Sequence, residues 1–233
     1  MCWIQQWATW TFLFAGWSSA ASAGHPAAAL LPGRPVDVVL VHGILDTGSR
    51  FDVLRRALEE DGCRCLAPSL RPNDGSTGVR DLSTKLAAAV DARFGHAEPI
   101  FLVGFSMGGL AVRDYVQNVL TDRSRVRGVF LISTPNHGTL WAGASPNPKM
   151  RQLALGSSFL ATLNAQPAAW KRVPVFSYWT PLDLMVVPAT SSLRMPGTTR
   201  AGLCPIHPWM TRDPLVVRDI LARIRAASSV SAW

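Results

Sequence analysis

A single serine stands in a setting that favours nucleophilic chemistry. Residues 104–109 have the sequence GFSMGG, so Ser106 has glycines two positions before it and two after it. This GxSxG spacing suits a sharp turn from a strand into a helix, because larger side chains would collide there. Such a turn exposes the serine hydroxyl and sets the backbone amide of Met107 beside it. The predicted chemistry is attack of the serine oxygen on a carbonyl carbon.

A serine hydroxyl needs a nearby base to accept its proton, and the natural base is a histidine held by an acid. Of the five histidines, His25 and His96 lie in stretches typical of solvated surface. His42 follows an apolar run and is interpreted as shaping a loop, and His137 lies in a turn-rich stretch that suggests structural hydrogen bonding. His207 is the predicted base, because it comes late in the chain, just before the last helical pattern.

The acid that orients the base is predicted to be Asp183. It is the only carboxylate between Asp122 and Asp213, and it follows the apolar run 173–179. Its neighbours in the segment 181–188, PLDLMVVP, are apolar, and a buried carboxylate needs a partner. The alternative is a solvated aspartate in a turn.

Acyl chemistry at a serine also needs hydrogen-bond donors for the oxygen that becomes negative. Met107 supplies one backbone amide. The His42-Gly43 pair after the first apolar run begins a loop that supplies the second amide, from Ile44. These two amides are the predicted oxyanion hole.

The elements that would hold these residues alternate between strands and helices. Helical patterns recur at 51–60, 79–94, 107–120 and after Asp213-Pro214. They separate or follow strand candidates at 35–41, 65–70, 100–105, 126–133 and 173–179, most of which are apolar runs. Unbroken apolar strands between helices indicate a parallel sheet covered on both faces. The carboxyl ends of such strands meet at one edge, where the candidate residues would gather.

Composition and charge exclude several other classes of protein. The 233 residues are 48% hydrophobic and 16% charged, as in one globular domain. The net charge of +8 raises the question of nucleic acid or anionic membrane surfaces. The basic residues are dispersed, with only three lysines, which argues against nucleic acid but agrees with attraction to anionic surfaces. Zinc-site spacings and an acidic cluster for calcium are absent, so no metal and no cofactor is expected.

The first 23 residues carry no charge and contain an apolar run followed by Ala21-Ser22-Ala23. We interpret residues 1–23 as a secretory signal, and the alternative is a retained membrane anchor, since no basic residue precedes the run. Residues 24–233 then form one domain of an exported protein. In that compartment Cys204 could pair with Cys63 or Cys65, and the alternative is three small buried apolar residues.

The chain resembles the α/β-hydrolase superfamily, specifically the small bacterial triacylglycerol lipases and esterases. The resemblance covers about residues 36–225, and its motifs are VHGILD at 41–46, GFSMGG at 104–109, STPNHGT at 133–139, PLDLMVVP at 181–188 and the His207 region. It implies the α/β-hydrolase fold, here trimmed at its start to about six mostly parallel strands. It also implies Ser106 as nucleophile, Asp183 and His207 as its partners, and the amides of Ile44 and Met107 as the oxyanion hole. The chain has Phe105 where these lipases usually have histidine, which bears on specificity and not on reaction type.

The function expected on these grounds is hydrolysis of a carboxylic ester or lipid through an acyl-enzyme intermediate. Residues 138–172 are either a short lid or acyl-binding wall or an ordinary connecting helix, and an apolar wall there would suit aliphatic acyl groups. The alternatives on the same triad are transfer of the acyl group to an alcohol or amine, and hydrolysis of a thioester or amide. An alternative of another class is an inactive, exported binding protein.

Overall fold

Six parallel strands form the centre of the molecule. The computed structural model describes residues 35–193, 195–202 and 204–229. The strands are β1 (Asp37–Val41), β2 (Arg64–Leu66), β3 (Ile100–Phe105), β4 (Val126–Ile132), β5 (Val175–Trp179) and β6 (Thr198–Ala201). They lie in the order β2-β1-β3-β4-β5-β6, and every neighbouring pair is parallel. The prediction of an α/β fold with about six strands is confirmed.

Helices cover both faces of this sheet. They are α1 (Asp52–Glu60), α2 (Val79–Phe94), α3 (Met107–Asp114), α4 (Leu140–Gly143), α5 (Ser158–Asn164) and α6 (Pro214–Ser229). One core contains apolar residues of α2, α3 and α5, and the other contains those of α1 and α6. The apolar residues of the central strands divide between the two cores, which explains why these strands are continuous apolar runs.

The two central strands, β3 and β4, are buried along their whole length. All six residues of β3 and all seven of β4 are buried. Leu102 and Val129 belong to one core, while Val103 and Phe130 belong to the other, because successive side chains of a strand point to opposite faces. This burial fixes the position of β3, and its carboxyl end carries the GFSMGG turn.

Three elements differ from the sequence-based expectation. Strand β2 is shorter than the predicted run 65–70, since the amide of Leu70 donates to the His42 ring at 2.9 Å instead of continuing the ladder. The helix predicted over 107–120 changes to a π-helical turn at Tyr115–Val119. Strand β6 was not predicted, because its four residues are all exposed at the sheet edge and form no apolar run.

The last helix begins where its capping residues indicate. The Oδ1 atom of Asp213 accepts hydrogen bonds from the amides of Leu215 at 2.8 Å and Val216 at 3.2 Å. Its other carboxylate oxygen accepts from the amide of Cys204 at 2.5 Å. Asp213 therefore joins the start of α6 to the segment that leads into His207.

The three described cysteines are free, so neither of the two pairings considered for Cys204 forms. Cys63 is buried in the core that contains α1 and α6, and Cys65 and Cys204 pack against that core. Burial raises the pKa of Cys63 to about 11 and that of Cys65 to about 12, so both are neutral thiols. The predicted signal segment 1–23 lies outside the described residues and stays a prediction.

Candidate active site

Ser106 occupies a strained turn between β3 and α3. Its backbone has φ 53° and ψ −125°, a conformation that side chains other than glycine rarely adopt. A Cβ atom at Gly104 would lie 2.5 Å from the Cα of Gly109, and one at Gly108 would lie 2.3 Å from the backbone oxygen of His42. Glycine is thus required at both positions of the motif, and the turn presents a half-buried serine at the carboxyl edge of the sheet.

The predicted acid and base are in contact. His207 Nδ1 and Asp183 Oδ2 are 2.7 Å apart, and both side chains are buried. The other carboxylate oxygen accepts from the amides of Met185 and Val186, each at 2.9 Å. Burial alone would raise the pKa of Asp183, but the His207 hydrogen bond and charge and these two amides outweigh burial and lower it. Asp183 is therefore an anion that fixes the orientation of the imidazole ring.

Phe105, the residue before Ser106, contacts the ring of His207. The rings of Phe105 and His207 have centroids 4.8 Å apart at 43°. Ser106 is the next residue along the chain, and its hydroxyl forms no hydrogen bond with any described residue. The serine–histidine hydrogen bond of a working triad is therefore not formed in this structure. Such bonds are often long without substrate and tighten in the substrate complex.

The two predicted oxyanion donors border the same cavity as the serine. Ile44 and Met107 line it together with Ser106. Within the described part of the chain, neither backbone amide donates to another backbone group. Gly43 allows the loop to approach closely, because a Cβ atom there would lie 3.1 Å from the Ser106 Cβ and 3.2 Å from the Phe105 ring. Two amides without acceptors beside a serine oxygen could stabilise a negative oxygen there.

His42 supports the loop of the cleft at Ser106, whereas His137 belongs to another cavity. The Nδ1 atom of His42 donates to the Gly43 carbonyl at 2.8 Å, and its Nε2 atom accepts from the Leu70 amide. Both ring nitrogens are used and burial lowers the pKa of His42, so it acts as a neutral brace for the loop that carries Ile44. His137 lines a second, separate cavity, while its neighbours Pro135 and Thr139 line the first.

An arginine that the sequence reasoning missed connects the loops of the site. Arg50 pairs with Asp46 at 2.5 Å and donates to the carbonyl of Pro208 at 3.1 Å. Its guanidinium also lies 5.8 Å from the centre of the Phe105 ring. The loop that carries the Ile44 amide and the segment that carries His207 are thus joined by one side chain. Nothing in the local sequence pattern marks Arg50, because its partner in the His207 segment, Pro208, is 158 residues away.

Thr139 is a second residue that was missed. Its hydroxyl donates to the Met185 carbonyl at 2.9 Å and accepts from the Val187 amide at 3.1 Å. These bonds fasten the segment after β4 to the loop that holds Asp183. Its position at the end of the STPNHGT motif is the sequence feature that could have identified it.

The cavity at Ser106 has a volume of about 310 Å³ and is mainly apolar. One wall belongs to the segment predicted as a lid or connecting helix, and it includes Ala142, Met150 and Leu153. The indole of Trp141 donates to the Leu184 carbonyl at 2.8 Å, which joins this wall to the acid loop. The arrangement suits an aliphatic group beside the serine. That the segment moves as a lid stays a prediction.

In the described part of the chain, no three His, Cys, Asp or Glu side chains are grouped so that they could hold a metal ion. None of the described helices combines the length and apolar character that crossing a bilayer requires.

A parallel sheet whose central strand turns through a strained serine into a helix is the architecture of the α/β-hydrolases. A family model described as the alpha/beta hydrolase family matches residues 38–230, and the chain belongs to that family. A search of curated proteins finds no match.

Solved structures show the same fold at low sequence identity. Lipase B from Aspergillus fumigatus is similar with a TM-score of 0.67 and 17% identity, over 78% of this chain and 51% of that one. The mature lipase BlEst2 from Bacillus licheniformis is similar with a TM-score of 0.61 and 19% identity, over 85% of this chain and 95% of that one. A protein from Listeria innocua is similar with a TM-score of 0.61 and 18% identity, over 82% and 94%.

Proposed function

We propose that this protein hydrolyses carboxylic esters through a serine, histidine and aspartate triad. The observation that carries the proposal is the joint arrangement of a strained serine, two free amides and a buried histidine–aspartate pair at one sheet edge. The family and the lipases among the similar structures support hydrolysis as the reaction class.

The proposed mechanism has two stages. In the first, Ser106 attacks the ester carbonyl carbon while His207 takes the hydroxyl proton, and the amides of Ile44 and Met107 donate to the oxygen that becomes negative. The imidazolium formed on His207 is stabilised by the anionic Asp183 and gives its proton to the leaving alcohol. In the second stage, a water molecule attacks the acyl-serine with the same histidine as base, and the carboxylic acid is released.

The experiment is a comparison of wild type with Ser106→Ala on a p-nitrophenyl ester. We expect the variant to lose hydrolysis and fluorophosphonate labelling while it keeps the circular dichroism spectrum of the wild type. Ser76→Ala, at an exposed loop residue, is the matched control. Turnover retained by Ser106→Ala would contradict the assignment, and an unlabelled wild type would favour the inactive binding protein.

We propose further that the natural substrates are apolar esters and that the protein binds to a lipid surface to reach them. Of eleven large apolar side chains that the described residues expose, eight flank site residues along the chain, and they are Leu45, Leu140, Trp141, Leu182, Leu184, Met185, Ile206 and Trp209. Leu45 and Leu184 are 74% and 78% exposed. An apolar patch that surrounds a cleft is typical of a surface that binds another apolar surface. Lys149 and Arg151 are exposed beside Met150 of the cleft wall, which adds attraction to anionic lipid.

The surface proposal is tested with Leu184→Asp on two substrates. We expect hydrolysis of a triacylglycerol emulsion to fall about tenfold, since a charge in an apolar contact costs at least 1–2 kcal/mol, while a dissolved short ester is cleaved normally. Val53→Asp, at an exposed position on α1, is the control and should affect neither substrate. An equal loss on both substrates would show that Leu184 serves the cleft and not the surface.

Export is also a proposal. It is supported by the uncharged first 23 residues and the Ala21-Ser22-Ala23 pattern. N-terminal sequencing of the protein from its native host should find a chain that begins at Gly24. An intact Met1 on membrane-bound protein would favour the retained anchor.

A further inference from the structure

A second cavity lies apart from the cleft at Ser106 and shares no lining residue with it. Its volume is about 320 Å³. Arg113, His137, Asn164 and Gln166 supply its polar groups, and Trp170 and Met195 are among its apolar residues. The mechanism proposed above uses none of these side chains.

Arg113 is a buried cation without a counter-charge. Its side chain is 1% exposed, and it forms no ion pair with any described residue. All fifteen Asp and Glu residues of the sequence lie within the described ranges, so no acidic side chain is left to pair with it. Its pKa is lowered to about 10, and desolvation is the sole cause. Proteins rarely keep a buried charge unless something of opposite sign offsets it.

The groups that accept hydrogen bonds from the guanidinium are neutral. One terminal nitrogen donates to the backbone and side-chain oxygens of Asn136 at 3.3 and 3.2 Å, and the other donates to Asn164 Oδ1 at 2.7 Å. The buried Nε atom of Arg113 has no hydrogen-bond partner. Dipoles therefore hold the guanidinium in place while its charge stays unmatched and one donor stays free.

The rest of the cavity is suited to an apolar group. Trp170, Met195 and Leu163 line it and are all buried. Pro167 and Pro196 also line it and are exposed, so the cavity reaches the protein surface at these residues. A ligand that matches this lining has one negative charge and a short apolar body.

We propose that this cavity binds a monocarboxylate, with the carboxylate paired to Arg113 and the hydrocarbon part packed against Trp170 and Met195. The Nε atom of Arg113 has no partner and Nη2 donates to Asn164 alone, so this edge of the guanidinium is the one left for the two oxygens of a carboxylate. The site would respond to organic acids, which are also the chemical class that ester hydrolysis releases. The binding itself does not depend on the proposed reaction.

Titration calorimetry with hexanoate tests the proposal on wild type and on Ser106→Ala. We expect both proteins to bind hexanoate with the same dissociation constant, since the serine is outside this cavity. Hexanamide, which has the same body without the charge, and inorganic phosphate, which has charge without the body, should both bind at least about tenfold more weakly. Equal binding of hexanoate and hexanamide would overturn the role of Arg113. Equal binding of phosphate would overturn the carboxylate assignment.

Gln166→Glu locates the site within the protein without removing Arg113. The new carboxylate belongs to the cavity lining, so it should repel the ligand and weaken hexanoate binding at least about tenfold. Thr162→Glu adds the same charge at an exposed position of α5 outside the cavity, and its binding should match wild type. Hexanoate should raise the melting temperature of Thr162→Glu but not of Gln166→Glu. No hexanoate binding at tens of millimolar, or unchanged binding in Gln166→Glu, would overturn the proposal.

Discussion

The two cavities of this protein differ in whether their buried charge is neutralised by the protein. At the cleft, the buried anion Asp183 is neutralised by His207 and by two amides, and the remaining lining is apolar. At the second cavity, the buried cation Arg113 has only neutral partners. Both cavities border the segment 133–139, which contributes Pro135 and Thr139 to the first and His137 to the second.

The difference indicates which charges each cavity matches with the protein's own groups. The cleft has its charges matched within the protein, so the proposed ester substrate would need only a polar carbonyl and an apolar chain. At the second cavity the charge of Arg113 has no counter-charge within the protein. Binding of an anion there should therefore raise the melting temperature. Variants that affect one cavity and leave the other unchanged test whether the two are independent.

The largest effect is expected from Asp183→Asn. Loss of the carboxylate leaves the imidazole without the group that fixes its tautomer and stabilises its charged form, so kcat/KM should fall by roughly four orders of magnitude. Asp74→Asn, at an exposed loop position, is the control. Stopped assays with a p-nitrophenyl ester measure the loss. Hexanoate binding should be unchanged, and a parallel loss of binding would show that the two cavities are coupled.

A smaller and selective effect is expected from Ala142→Trp. Ala142 is buried in the cleft wall, so the larger side chain should occupy the space of an acyl chain. We expect hydrolysis of a long-chain ester to fall roughly 10- to 200-fold, while an acetyl ester is barely affected. Ala161→Trp, exposed on α5, adds the same bulk outside the cleft as a control. Equal losses on both esters would mean that the acyl chain lies elsewhere.

Arg50→Gln should reduce kcat about tenfold and leave KM nearly unchanged. The variant loses charge-assisted hydrogen bonds that join the Ile44 loop to the His207 segment, each worth about 1.5–3 kcal/mol, and part of this loss should appear as poorer alignment. Arg50→Lys keeps the charge and should recover part of kcat. Arg55→Gln, half-exposed on α1, is the control. A rise in KM without a change in kcat would instead place Arg50 in substrate binding.

The smallest effect concerns pH and stability. Because the pKa of Asp183 is lowered in the folded protein, its ionisation stabilises the fold at pH values above the ordinary aspartate pKa of 3.8. This contribution is lost as pH falls through the lowered folded pKa. The difference in unfolding free energy between wild type and Asp183→Asn should therefore shrink with pH below that value in urea titrations. A constant difference would contradict the assigned direction of the shift.

The fold and the serine turn of the candidate site could be predicted because their signals are local. Buried parallel strands require unbroken apolar runs, and the strained turn requires glycine at 104 and 108. The contact of Asp183 with His207 could be expected, because no other carboxylate lies between Asp122 and Asp213. Arg50 and Arg113 could not be predicted, since their roles depend on partners that only folding brings near. Strand β6 could not be predicted, because an exposed edge strand does not need an apolar pattern.

Helix α3 fixes the separation between Ser106 of the cleft and Arg113 of the second cavity. Ser106 stands at its beginning and Arg113 is seven residues later, which is close to two full turns and about 10 Å along the axis. One inserted residue between them would swing the guanidinium about 100° around the helix and out of register with Asn136 and Asn164. Natural relatives that keep both features should therefore show no change of length within these two turns.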